Sequence, residues 1–146
     1  MKYLKLFESF KSIPKHLLVN NLLQEAKDIC LELNDANIRT ECYYNNPYVL
    51  DGKSQPGFIT IGMERTEFED DEDDDCFWAN ENLVVEWHEV EEVVDRLIDY
   101  FELNNWNLYA IMMDDDNLIN PKEWIETLRK RVNYKFSGLT INFVEN

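Results

Sequence analysis

The sequence predicts an α+β domain, with about three helices packed on a four-stranded mixed sheet in the order αββαβαβ. Three observations lead there. Apolar residues recur at three- and four-residue spacing in three stretches, the signature of amphipathic helices. Elsewhere β-branched and aromatic residues alternate with polar ones, or run together over about eight residues, as strands require. The 146 residues are 45% hydrophobic, enough for one domain to bury a core without staples.

Residues 1–12 read as a short amphipathic segment with Leu4, Phe7 and Phe10 on one side, and 13–146 as a single α+β domain. Ser12 is placed to cap and Pro14 suits a first helical turn. From Pro14 to Leu33, Leu18, Leu22, Ala26, Ile29 and Leu33 mark the inward face of the first helix. Asn and Asp in "NDAN" end it, because both tolerate a left-handed exit. "NIRTECYY" alternates Ile38, Thr40, Cys42 and Tyr44 against Arg39, Glu41 and Tyr43, and "GFITIGMER" repeats the pattern through Ile59, Ile61 and Met63. "NNPYVLDGKSQP" lies between them, rich in turn formers, so the pair is a hairpin with a long connection.

After an acidic stretch, "NLVVEW" suits a short strand or an apolar segment under the next helix. That helix runs from about His88 to Leu103, with Val90, Val93, Val94, Leu97, Ile98 and Phe101 inward and Glu89, Glu91 and Glu92 at the positive end of its dipole. "WNLYAIMM" is apolar almost throughout and predicts a third strand buried on both faces. In "NPKEW", Asn120 is the cap, Pro121 the first helical residue and Glu123 the capping-box partner. The helix that follows turns Trp124, Ile125, Leu128 and Val132 to one side. "GLTINFV" closes the sheet with Leu139, Ile141 and Phe143 inward.

No apolar run approaches the roughly 18 residues that cross a bilayer. The opening residues lack the apolar core and cleavage site of a secretory signal. Cys30, Cys42 and Cys76 lack metal-ligand spacing, which favours a reducing cytoplasm, and Cys30 and Cys42 read as small buried hydrophobes.

Charge is the dominant feature. The net value is −16, and residues 64–92 hold fourteen acids against Arg65 alone. Such a chain repels nucleic acid and anionic membrane, so the partner it predicts is a basic protein rather than nucleic acid or lipid. The acidic loop at 67–76 supplies Glu67, Glu69, Asp70, Asp71, Glu72, Asp73, Asp74 and Asp75, and Glu86, Glu89 and Glu92 extend this candidate partner-binding set onto the helix. Asp95, Asp99 and Glu102 follow near helical spacing, so the stripe could imitate the charge density of duplex DNA toward a basic DNA-binding host protein. Calcium is the rival occupant, with Asp70, Glu72, Asp74 and Glu81 at ligand spacing, but a calcium loop needs glycine where Asp75 stands. The plain reading is a solvated loop held extended by its own repulsion.

No catalytic signature stands out and no cofactor motif is present. A Cys76–His88 pair lacks an orienting third group, and Asp114 to Asp116 after the third strand lack a partner motif for magnesium. An enzyme using a metal or Cys/His chemistry is the least favoured class, and no catalytic residue is assigned.

Met1, Lys2, Phe7, Glu8 and Phe10 in "MKYLKLFESF" resemble the openings of small uncharacterised tailed-phage proteins, and the stretch is similar to the capsid-targeting leaders of T-even-type phages. The resemblance implies cutting after Leu6-Phe7-Glu8 to leave Ser9 first, and a place within a phage particle or the host cytoplasm. It covers about ten residues, and the basic content of the internal proteins that carry such leaders is missing. The sequence thus predicts a small acidic protein-binding protein, phage-encoded, either virion-associated or inhibiting a basic host factor.

Overall fold

The computed structural model describes residues 15–66, 83–114, 116–118, 120–131 and 133–146. Helix α1 (Lys15–Cys30) passes through a 3-10 turn (Leu31–Ala36) into β1 (Ile38–Asn45). Strands β2 (Tyr48–Leu50), β3 (Lys53–Gln55) and β4 (Phe58–Arg65) follow, then β5 (Val85–Glu86) and helix α2 (Trp87–Leu103). The chain continues through β6 (Trp106–Met113), β7 (Asp116–Leu118), α3 (Pro121–Arg129), β8 (Lys135–Phe136) and β9 (Gly138–Glu145). The α+β class and the three helices on four long strands are as predicted. Residues 1–12 lie outside the described residues.

The sheet runs β1-β4-β9-β6-β7, and every ladder in it is antiparallel rather than mixed. A mixed sheet would need β4 and β6, which are joined through a helix, to pair directly. They do run parallel, but the last strand enters between them and is antiparallel to both. This is a split β-α-β arrangement, in which the chain end completes the middle of the sheet.

The inner face carries Ile38, Ile59, Ile61, Met63, Ile111, Met113, Leu139, Ile141 and Phe143, all buried. α1 packs against β1, and α2 and α3 against β6, giving one continuous core. Trp87, Phe101 and Phe143 anchor it, and the rings of Phe101 and Phe143 stack at 4.3 Å between centroids. Each such side chain contributes about 1.5–3 kcal/mol through burial.

Two faces differ from expectation. On α1 the buried stripe is Val19, Leu22, Ala26 and Cys30, while Leu18 is exposed and Ile29 half-buried. The 3-10 turn winds three residues per turn and still brings Leu33 inward, so the inner face follows a line one step from the predicted one. The exit is as predicted, since Asn37 takes φ 58° and donates its N–H to the Asn34 carbonyl at 3.0 Å. On β6, the register against β9 shifts between Leu108 and Ala110, so Tyr109 is an extra, exposed residue. The bulge moves the inward phase from Trp106 and Leu108 to Ile111 and Met113, which explains a nearly unbroken apolar run in a strand whose outer face is open.

Among the capping expectations, Pro121 does open α3, but Asn120 makes no side-chain cap bond. Ile125 and Leu128 are buried as expected and Trp124 half-buried, whereas Val132 lies outside the described residues.

Candidate partner-binding site

Of the eleven carboxylates assigned to a partner, Glu67, Glu69, Asp70, Asp71, Glu72, Asp73, Asp74 and Asp75 lie outside the described residues, as do Glu81 and Cys76. Glu86, Glu89 and Glu92 are described, and they stand in three different environments. Glu92 is exposed. Glu86 begins α2 with His88 Nε2 at 2.6 Å and Lys135 at 3.9 Å.

Glu89 turns inward. Arg65 Nη2 donates to its carboxylate at 2.5 Å, and the backbone N–H of Glu86 donates to it at 2.9 Å. Arg65 also donates through Nε to the Val84 carbonyl at 2.8 Å and through Nη1 to the Ala36 carbonyl at 2.7 Å. One guanidinium therefore ties the end of the 3-10 turn, the entry to β5 and the first turn of α2 to the end of β4. Burial acts to push the Glu89 carboxyl up, but the Arg65 hydrogen bond, the Glu86 N–H and the Arg65 charge outweigh it and hold it below the usual carboxylate range.

Further along α2, Asp95 accepts from Arg129 at 2.9 Å and Glu102 pairs with Lys122 at 2.9 Å. Cations of α3 thus answer the helix carboxylates across a shallow groove of about 320 Å³ lined by Ile98, Asp99, Ile125 and Glu126. The α2 row is a set of interhelical pairs more than an open stripe, with Glu92 and Asp99 in no ion pair among the described residues.

The residues weighed for catalysis are dispersed. His88 is about half exposed, and among the described residues its ring pairs with Glu86. Asp114, at φ 55°, accepts from Ser137 N–H at 2.7 Å, Ser137 Oγ at 2.5 Å and Gly138 N–H at 3.1 Å. It pins the turn into β9, with all three bonds received by Oδ1. Among the described residues no three His, Cys, Asp or Glu side chains gather as metal ligands. No helix among them is long and apolar enough to cross a membrane.

The feature with the clearest capacity to bind is one that the composition of "NNPYVLDGKSQP" conceals. The ladder of β1 and β4 pairs Asn45 with Phe58, and after two unpaired residues on each side it resumes with Tyr48 opposite Gln55, Val49 opposite Ser54 and Leu50 opposite Lys53. Asp51 and Gly52, at φ 51° and 76°, close it in a two-residue turn with both φ positive, the type I′ geometry that matches strand twist. The connection is therefore not a long loop but a second, two-stranded ribbon continuing the hairpin in register. An Asp-Gly pair flanked by strand-forming residues was the available signal.

This arm forms a sheet of its own and projects past the main one. Tyr48, Val49 and Leu50 are 48%, 70% and 54% exposed, three consecutive apolar side chains in open water. Strand alternation puts Tyr48 and Leu50 on one side of the ribbon and Val49 on the other, so both sides are adhesive. At its root, Tyr44 meets Trp106 edge-on at 6.4 Å, and Gly57 leaves room for the Tyr44 hydroxyl. The root is thus fixed to the core, while the tip is exposed among the described residues. β4 ends at Arg65, at the opposite end of the hairpin from the arm.

The chain matches no protein-family model, no curated protein and no solved structure.

Proposed function

We propose that this chain is a binding protein that engages a basic protein, with the β2–β3 arm as its apolar anchor and the excess of acidic residues selecting the partner's charge. The observation that carries the proposal is the exposure of Tyr48, Val49 and Leu50 on a ribbon whose turn and root are both well defined. A two-stranded ribbon standing alone in water is marginal, and its open edges and apolar sides are relieved when another protein covers them. A second copy of the chain is the poorer occupant, because bodies of net charge −16 repel at close range. A basic partner is attracted by the same field and docks faster for it. The N-terminal resemblance adds a setting to the proposal, a phage particle or the infected cell.

The test compares the wild-type chain with a Val49→Asp/Leu50→Asp variant in capture from lysate at low and high salt, with sedimentation of each alone. The proposal expects a basic protein held by wild type, weakened by salt and lost from the variant, while both chains sediment as monomers. Equal capture by both chains contradicts the anchor role. Arm-dependent dimers contradict the choice of partner.

A further inference from the structure

The helices pack on one face of the main sheet, and the residues that alternate with its buried set form the other. On that outer face Asn45 of β1, Thr60 of β4 and Asn142 of β9 are joined across three strands. Asn45 Nδ2 donates to Thr60 Oγ1 at 2.9 Å, and the Thr60 hydroxyl donates to Asn142 Oδ1 at 2.8 Å. Thr60 is 3% exposed although it points away from the core, so this relay is built into the sheet. Tyrosines close the same cross-strand row at both ends. The register sets Tyr43 beside Thr60 and Thr60 beside Asn142, while Ala110 and the bulged Tyr109 together oppose Asn142. Both tyrosines are exposed, and three strand spacings, about 14 Å, separate their strands.

We propose that this row, from Tyr43 through the Asn45–Thr60–Asn142 relay to Tyr109, binds a neutral oligosaccharide. Charge decides the class of ligand. The chain is 30% charged, yet the outward positions of β9 from Gly138 to Val144, of β6, and of β4 up to Gly62 carry no charge. The charges of this face, Arg39, Glu41 and Glu64, stand together at one corner. A cationic ligand finds its counter-charges on the helices instead, and a phosphate chain is repelled by the net charge of −16. An uncharged ligand suits an uncharged face.

The polarity of the relay names the groups that the ligand offers. Thr60 accepts from Asn45 and donates to Asn142, which leaves the Asn45 oxygen to accept and the Asn142 nitrogen to donate. A sugar hydroxyl both donates and accepts, so neighbouring hydroxyls of one chain satisfy both ends. The C–H faces of the sugar rings pack on Tyr43 and Tyr109, whose broad apolar bodies bind at small cost in side-chain freedom. Ala110 opposite Asn142 is too small to cover the amide. The bulge supplies the second ring, as bulges do where a side chain is re-aimed beside a site. The relay is already ordered, so binding does not have to fix it. This site is separate from the arm and from its basic partner.

The test follows the amide and Asn side-chain resonances of the isotope-labelled full chain as maltohexaose, cellohexaose and chitohexaose are added, each to millimolar excess. The proposal expects saturable shifts with at least one of them, centred on Tyr43, Asn45, Thr60, Tyr109 and Asn142. Tyr43→Ser/Tyr109→Ser alters only exposed side chains, so it should keep the wild-type spectrum elsewhere and lose that binding. Thr60→Val keeps both rings and cuts the relay, and should weaken binding by about tenfold. The Val49→Asp/Leu50→Asp arm variant should bind the sugar as wild type does. No saturable shift with any of the three sugars would overturn the proposal. So would undiminished binding by the double tyrosine variant, or a thymidine oligonucleotide that shifts the same row when the sugars do not.

Discussion

Pro47 stands opposite Pro56 in the hairpin. The register of β1 with β4 carries unchanged into β2 with β3, and the only residues it skips are Asn46-Pro47 on one strand and Pro56-Gly57 on the other. Proline has no N–H to give a ladder, so facing prolines interrupt hydrogen bonding without shifting the pairing. The interruption divides one long hairpin into a root that belongs to the core and an arm that does not. Exposed apolar residues and core packing are thereby placed in separate parts of one element.

That separation makes the turn a sharp place to test. Gly52→Val puts a β-branched residue at φ 76° and disturbs the type I′ closure at a local cost of about 1–2 kcal/mol. The arm adds little to the core, so the denaturation midpoint should stay within about 0.5 kcal/mol of wild type. Amide resonances of residues 48–55 should move while those of β4 beyond Ile59 do not.

At the root the reverse holds. A Cβ on Gly57 would occupy the space of the Tyr44 hydroxyl, and Tyr44 is held by Trp106. Gly57→Ala should destabilise the fold by about 1–3 kcal/mol in urea titration, the usual cost of overpacking. Shortening the partner in Gly57→Ala/Tyr44→Phe should recover part of that loss.

The Arg65–Glu89 pair governs the acid limb. A carboxyl held low in the folded state stabilises above its unfolded pKa of about 4.3, and that contribution is lost as pH falls through the lower folded value. Glu89→Gln should therefore be less stable than wild type at pH 7, by about 1–2 kcal/mol for a charge-assisted pair that is mostly buried, and equal to it at the acid end. Arg65→Met should cost more, about 1–3 kcal/mol, because the carbonyls of Ala36 and Val84 lose their donor as well. Urea titrations at several pH values separate the two.

Asp114 makes a parallel case at the start of β9. Burial raises its carboxyl, but the hydroxyl and N–H of Ser137 and the N–H of Gly138 together hold it low. Asp114→Ala should lose about 1–2 kcal/mol at neutral pH, and the difference should shrink as acid protonates the wild-type side chain. Added magnesium should leave the wild-type midpoint unchanged, since Oδ1 already accepts three hydrogen bonds within the turn.

Periodicity made the long elements legible. The α2 face of Val90, Val93, Val94, Leu97 and Phe101 and the β9 face of Leu139, Ile141 and Phe143 are where spacing puts them. Three features were harder to read. The bulge at Tyr109 breaks period two, so "WNLYAIMM" looks buried on both sides. Glu89 looks like one more surface acid, because its partner Arg65 is 24 residues away on another element. On α1 the buried line runs through Val19 and Cys30 rather than Leu18 and Ile29, a one-step turn of the face that the spacing alone does not fix. The arm was different, since Asp51-Gly52 is a local signal that the surrounding prolines and asparagines masked as loop.

The central claim is that the arm is what a partner grips, and amide hydrogen exchange of the chain alone and in complex with the captured basic protein tests it most directly. The account predicts new protection concentrated in residues 48–55, with little change along α2. Protection on α2 or the open face of the sheet, with the arm exchanging as fast as in the free chain, would contradict it.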